Sequence, residues 1–412
     1  MAEKKKTPQI RIDGFAKDWS EGTLNQYLET SLEKNLDEVF SREDVLSVSG
    51  DYGVVNQIEF QGRSFAGASV ANYGVVRTGD VVYTKSPLKD NPYGIIKTNT
   101  GKPGIVSTLY AIYHPLETTY PEFVQWYFDN NDRLNRYLNP LVNKGAKNDM
   151  KVSSDNALLG QVVFPDYDEQ KAISEALVHI KAFILQYEDK LEKLQKLKLS
   201  MVEKMFPAND AEIPEMRFKG FDGGWSKTEL CRIAYKVTEK NVQNLVSETF
   251  TNSAEHGIIS QRDFFDHDIS NLEKINGYYI VQDNDFVYNP RVSVTAPCGP
   301  INRNRLGRKG VMSPLYTVFR THDVDPLYLE WYFKSPHWYA YMRFNGDSGA
   351  RSDRFSIKNE LFFQMPIPLP DIREQHKVGQ ALQEISDYID LQQKELNKLQ
   401  SLKKGLLEKM FV

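Results

Sequence analysis

Two stretches of this chain, residues 172–206 (AISEALVHIKAFILQYEDKLEKLQKLKLSMVEKMF) and 377–411 (KVGQALQEISDYIDLQQKELNKLQSLKKGLLEKMF), are identical at fourteen of 35 aligned positions. Alternating three- and four-residue steps pick out Leu177, Ile180, Ile184, Tyr187, Leu191, Leu194, Met201 and Met205 in the first. The second gives Leu382, Ile385, Ile389, Gln392, Leu396, Leu399, Leu406 and Met410. A seven-residue apolar repeat held for about four heptads predicts a coiled coil. Lys198 and Lys403 interrupt the stripe at the same place in both copies, as a register-fixing polar residue does. Each segment opens with Pro-Asp and a Glu three residues on (Asp166/Glu169, Asp371/Glu374), which predicts a capping box at the positive end of the helix dipole. A 35-residue helix rises roughly 50 Å at ~1.5 Å per residue. Antiparallel pairing of two such helices would put one globular domain at each end of a rod.

The rest of the chain is duplicated too. PQIRIDGFAKDWSEGTL (Pro8–Leu24) returns as PEMRFKGFDGGWSKTEL (Pro214–Leu230), and YGVVRTGDVVY (Tyr73–Tyr83) returns as YYIVQDNDFVY (Tyr278–Tyr288). Both members of the second pair read as strand, polar turn, strand, which predicts a hairpin. PEFVQWYF (Pro121–Phe128) returns as PLYLEWYF (Pro326–Phe333), a short aromatic helix opened by proline. FPDYDEQ (Phe164–Gln170) returns as LPDIREQ (Leu369–Gln375), and every match falls at an offset of 205 or 206. The stretch Glu239–Asp285 shows no convincing partner in the first half. The expected order is a first domain (1–164), a helix (165–206), a linker (207–213), a second domain (214–369) and a second helix (370–412).

Catalytic fragments fail on inspection. IKTNTGKP (Ile96–Pro103) lacks the first glycine and the final Ser/Thr of a phosphate loop. DNPYG (Asp90–Gly94) lacks one proline of a base-flipping methyltransferase motif, and no glycine-rich turn for a methyl donor accompanies it. Seven scattered histidines and two distant cysteines, Cys231 and Cys298, give no metal-ligand spacing and no disulfide framework. The expectation is no enzyme, no metal and no cofactor. No run approaches the ~20 apolar residues of a membrane span, and MAEKKKTPQI lacks the core of a signal peptide. A cytoplasmic protein is expected.

A net charge of −4 argues against indiscriminate coating of nucleic acid, yet basic residues gather locally. RVSVTAPCGPINRNRLGRKG (Arg291–Gly310) holds Arg291, Arg303, Arg305, Arg308 and Lys309 with no acid. The matching region of the first half offers Lys85, Lys89, Lys97 and Lys102. A second cluster precedes each long helix: Lys144, Lys147 and Lys151 in NKGAKNDMK, and Arg351 and Arg354 in GARSDRFSIK. A lone basic loop is ordinarily solvated surface. Two clusters recurring at matched places put contact with nucleic acid level with the solvated-surface reading, since arginine forks in loops reach phosphates and guanine edges.

This combination resembles the specificity subunit of type I restriction–modification systems. The carriers are the R(I/F)xGF…WS…L openings, the turns at Gly79-Asp80 and Asn284-Asp285, the Gly-Ala loops at Gly145 and Gly349, and the Pro-Asp-x-x-Glu-Gln starts of the long helices. The resemblance covers essentially the whole chain. It implies an α+β protein with two tandem pseudo-symmetric target-recognition domains joined by two long helices in an antiparallel coiled-coil spacer. It also implies a non-catalytic subunit that reads a bipartite, asymmetric, interrupted site in double-stranded DNA. Two methyltransferase subunits, and often two restriction subunits, would be its partners, with S-adenosylmethionine, ATP and magnesium bound by them. The alternative is a protein scaffold with two similar domains on a coiled coil.

Overall fold

The computed structural model describes residues 7–67, 69–144, 150–208, 210–264, 272–348 and 353–412. The chain divides into two compact units, residues 1–188 with 394–412, and residues 189–393. The heptad segments are two helices of 38 residues each, Tyr167–Lys204 and Ile372–Lys409. Each unit thus holds the start of one long helix and the end of the other.

Each unit is built on a four-stranded antiparallel sheet of the same strand order. In the first unit the order is Leu28–Thr30, Tyr110–Pro115, Val81–Thr84, Ile96–Thr98. In the second it is Ala234–Lys236, Thr317–Thr321, Phe286–Tyr288, Ile301–Arg303. The aromatic helices Pro121–Phe128 and Pro326–Lys334 start at proline as expected and bury Phe123, Tyr127, Tyr328 and Tyr332. A separate strand pair closes each domain: Ser20–Thr23 with Gln161–Phe164, and Ser226–Glu229 with Pro366–Leu369.

The long helices pair antiparallel within each unit. In the first, Leu177 shares a core cluster with Leu407 and Met410, while further along Gln400 donates to Glu188 at 3.3 Å. In the second, Val202 and Met205 cluster with Val378 and Leu382, and the Lys190 ammonium lies 5.0 Å over the Tyr388 ring. Leu177, Ile184, Leu191, Leu382, Ile389 and Leu396 of the predicted seam are buried, and Ile180, Leu194, Ile385 and Leu399 are half-buried. At the helix ends the buried face shifts by one residue. Val202 and Leu407 are deeper than the predicted Met201 and Leu406, because there the helix packs on a domain as well as on its partner helix.

The twice-written EKMF is an aromatic plug. Phe411 sits 5.5 Å from Phe123, 5.9 Å from Tyr127 and 6.5 Å from Trp19. Phe206 sits 5.4 Å from Tyr328 and 5.6 Å from Tyr332. The last carbonyls of both helices, which have no intrahelical donor, are met from the domain they enter. Leu407 O accepts from Arg133 (3.1 Å) and Lys409 O from the Ile10 amide (3.0 Å). Glu203 O accepts from His337 Nε2 (2.7 Å) and Lys204 O from the Met216 amide (2.9 Å).

Three expectations change. The strands of YGVVRTGDVVY do not form a hairpin: Gly74–Val76 pairs with Gly104–Val106, and Val81–Thr84 pairs in the main sheet. The second copy does the same, Tyr279–Val281 pairing with Gly310–Met312. The turn explains it. The Asp80 amide donates to Arg77 O (3.2 Å) with Gly79 left-handed (φ 93°), and Asp285 donates to Gln282 O (3.2 Å) with Asn284 at φ 67°. A positive φ only at the third position splays flanking strands, whereas hairpins use the mirror-image turns.

The predicted capping boxes do not form: the Glu169 and Glu374 amides donate to the backbone carbonyls of Asp166 and Asp371, the Asp166 carboxylate takes Lys17 (2.9 Å), and the Asp371 carboxylate caps the Arg373 amide (2.9 Å). Glu169 binds Arg11 with both oxygens (2.7 and 2.7 Å), and Glu374 binds Arg217 in the same way (2.7 and 2.9 Å). Finally, Glu239–Asp285 does have a counterpart. The hairpin Phe250–Ser253/Gly257–Ser260 with its following helix matches Leu46–Ser49/Gly53–Asn56, at a local offset of 204 that slips against the flanking 205 and 206.

Phe411→Ala should destabilise the protein by about 3–5 kcal/mol in denaturant unfolding, the range for emptying a buried aromatic site. Leu402→Ala, at an exposed position of the same helix, should change it by less than about 0.5 kcal/mol.

Candidate nucleic-acid interface

The basic residues singled out in the sequence fall into two groups. Some are held by carboxylates inside a domain, and others face solvent. In the second domain Glu330, on the aromatic helix and nearly inaccessible, takes Arg303 Nε at 2.8 Å, Arg305 at 2.6 Å and Lys334 Nζ at 3.1 Å. Burial opposes ionisation of Glu330, but Lys334, Arg305 and Arg303 outweigh it and hold its carboxyl below the usual range. Arg303 also donates to Asn284 Oδ1 (2.9 Å) at the corner turn, and Arg305 donates to Gln383 on the second long helix (2.7 Å). Arg308 makes a fork with Glu248, with its closest contact at 2.7 Å, and reaches Asp263 at 3.1 Å.

Arg291 and Arg354 are arranged differently. They lie 63 positions apart in sequence, yet form an isolated antiparallel bridge, framed by the Phe355 amide on Pro290 O (2.7 Å) and the Val292 amide on Asp353 O (3.1 Å). Both side chains are exposed, and among the described residues neither has an acidic partner within ion-pair distance. Lys309 is exposed as well. Arg351 lies outside the described residues.

The first domain solves the same problem with other residues. Lys97 is buried and bonds Asp129 at 2.5 Å, and Lys403 of the second long helix reaches the other oxygen at 3.1 Å. Burial works against the Asp129 charge, but Lys97 and Lys403 together keep its carboxyl below the ordinary range. Lys85 is half-buried, bonds Ser154 Oγ at 3.2 Å, and has its pKa lowered by burial and then by Lys34. Lys89 and Lys102 are exposed. Lys144 and Lys151 belong to the short strand pair Asn143–Lys144 and Met150–Lys151, the loop of Lys147 and Gly145 lies outside the described residues, and so does Gly349.

A cleft of about 860 Å³ opens beside this cluster, lined among others by Asp51, Asp90, Lys97, Asp129, Lys181 and Lys403. Lys181 has its pKa lowered, first by burial and then by Lys403 and Lys97. Acids (Asp51, Asp90, Asp129, Glu188) and lysines (Lys89, Lys97, Lys181, Lys403) line the cleft in equal number, so it gathers no field of one sign.

Sequence reasoning passed over Glu330, Lys334, Asp129 and Lys403 as site residues. A signal was present: Asp129 and Lys334 occupy matched positions at the end of the two aromatic helices with opposite charge. Among the described residues no three of His, Cys, Asp and Glu converge as metal ligands, and no helix is long and apolar enough to cross a membrane.

Glu330→Ala, which strands Arg303 and Lys334 without their carboxylate, should cost about 3–5 kcal/mol of stability. The two depressed carboxyls also set an acid limb. Their contribution is complete above the ordinary values of 3.8 for Asp129 and 4.5 for Glu330 and is lost as pH falls through the lower folded values. Thermal unfolding of the Asp129→Asn variant between pH 3 and 6 should show a flatter acid limb than the parent.

No family model matches the chain, and no curated protein matches it. Solved structures do. The S subunit of a type I restriction–modification system from M. genitalium superposes with a TM-score of 0.54 at 11% identity, over 98% of this chain and 99% of that one. The HsdS subunit from Thermoanaerobacter tengcongensis gives 0.48 at 14% identity, over 95% and 96%. A chain from a structure on complex assembly and conformational transition of the type I R-M system gives 0.49 at 14%, over 95% and 97%. With the duplicated sheets, the closing strand pairs and the paired 38-residue helices, the chain has the fold of a type I restriction–modification S subunit.

Proposed function

We propose that this chain is the DNA-specificity subunit of a type I modification or restriction–modification complex. Each domain reads one half of an interrupted, asymmetric site in double-stranded DNA, and the paired helices set the gap. Two methyltransferase subunits, and restriction subunits where the system has them, carry the chemistry with S-adenosylmethionine, ATP and magnesium. The chain itself is non-catalytic in this reading. The observation that carries it is one fold written twice with different exposed cations. The Arg291–Arg354 bridge presents two exposed guanidiniums with no acidic partner among the described residues, whereas the first domain is lysine-rich in the matching region. Planar guanidinium forks suit guanine edges and phosphates, while lysines act as point charges, so two such domains suit two unlike half-sites.

Ion pairing supports a division of the arginines by role. Arg303, Arg305 and Arg308 already bind carboxylates and hold the loop in shape, which favours Arg291 and Arg354 as DNA contacts in this reading. Arg291→Ala or Arg354→Ala should weaken specific binding by the assembled complex by about 1–3 kcal/mol where the residue reads a base. A phosphate contact should instead weaken all sequences alike and reduce the salt slope by about 1. Unchanged affinity and slope in both variants would remove the bridge from the interface.

A map of methylated bases in the source strain, with and without the gene, tests the function as a whole. Loss of one interrupted, asymmetric motif is the expected result. An unchanged map from a strain that expresses the complex would overturn it. Binding of DNA by the complex should also weaken steeply between low and moderate salt, which a protein scaffold would not show.

A further inference from the structure

The loop Glu33–Ser41 (EKNLDEVFS) and the loop Glu239–Ser247 (EKNVQNLVS) have the same build at an offset of 206. In each, a buried asparagine folds the loop around its own side chain. Asn35 donates to Phe40 O (2.8 Å) and accepts from the Phe40 amide (3.0 Å), while Asn241 does the same with Val246 (2.8 and 3.1 Å). The asparagine amides bind Tyr73 O (3.0 Å) and Tyr278 O (2.9 Å). Glu38 and Asn244 are both left-handed, at φ 50° and 52°, a strain that persists only where the surroundings over-determine the shape. On this fixed frame each loop turns two aliphatic side chains outward. Leu36 and Val39 are 68% and 80% exposed, and their matches Val242 and Leu245 are 73% and 79% exposed.

Single exposed apolar side chains need no explanation. The same two positions, kept aliphatic and kept in water on both copies of a duplicated domain, do. They contribute nothing to either core. The residues between them have meanwhile changed from Asp37-Glu38 to Gln243-Asn244. Surfaces that meet two different half-sites must diverge between the domains, whereas surfaces that meet two copies of one protein must stay alike. Charge points the same way at the first loop, where Glu33, Asp37 and Glu38 outnumber Lys34 and disfavour a phosphate backbone; the second loop is balanced, with Glu239 and Lys240, and neither loop holds an arginine.

We propose that Leu36/Val39 and Val242/Leu245 are equivalent docking points for two copies of one protein partner, each offering an apolar socket. This rests on the functional reading above, which makes that partner the methyltransferase subunit.

The test titrates the full chain with the methyltransferase subunit of its own system and counts bound copies by native mass spectrometry. The parent should bind two copies. L36D/V39D and V242D/L245D should each leave one copy at parental affinity and weaken the other at least tenfold, and the fourfold variant should weaken both. Thermal unfolding checks folding. Should an aspartate variant melt early, L36A/V39A and V242A/L245A carry the same comparison. A folded fourfold variant that takes two copies at parental affinity overturns the docking points and leaves the function standing. Loss of DNA affinity in that variant with methyltransferase binding intact assigns the loops to nucleic acid and overturns them too. A parent chain that binds no methyltransferase subunit overturns the functional reading and the docking points together.

Discussion

A guanidinium set against a carboxylate at the first turn of each long helix is the contact on which the two units depend. Arg11 and Glu169, and Arg217 and Glu374, are bidentate and mostly removed from water. The neighbouring glutamine completes the joint. Gln170 accepts from the Tyr120 amide (2.9 Å) and donates to Pro165 O (2.8 Å), while Gln375 accepts from the Asp325 amide (3.0 Å) and donates to Pro370 O (2.9 Å). The chain's opening motif, the start of its aromatic helix and the start of its long helix therefore meet at one point. Set against an apolar alternative, a buried ion pair contributes little net stability, but losing one partner is expensive. Its contribution is position: it determines which residue begins the long helix and how the domain is held against it.

Downstream of that joint the two units use different chemistry for a common task. Each must fasten its aromatic helix to a basic strand and to a long helix. The first does so through Asp129, shared by Lys97 and Lys403, and the second through Glu330, one turn earlier, with Arg305 bridging to Gln383. The position of Asp129 is taken by Lys334, which lies near Lys198, the match of Lys403, and feels its like charge. Moving the acid by one helical turn preserves the fastening while changing which cations are consumed by it.

Much of this architecture was legible. Heptad spacing located both long helices because a period of seven admits few other structures, and the return of Pro8–Leu24 as Pro214–Leu230 marked two equivalent domains. What escaped reading was set by contacts distant in sequence. The strands at Gly74 and Val81 have the letters of a hairpin, and only their true partners, some 30 residues on, show otherwise. Basic loops look alike as strings, so nothing local separated Arg303, neutralised by Glu330, from Arg291, which meets Arg354 across 63 residues. The loop at Asn241 escaped because the offset slips from 206 to 204 within a few residues of it.

The strand pairs that close each domain also bear on how such proteins change. Ser20–Thr23 lies beside Gln161–Phe164, and Ser226–Glu229 beside Pro366–Leu369, so everything between leaves and returns to the scaffold at one place. A segment with adjoining ends can be exchanged without moving what it is attached to. Because both closures share one geometry, a recombination event at these borders would transplant a whole domain from another chain, or from the other half of the same gene. Under the proposed function, new specificities would then arise as cassettes, faster than by point substitution.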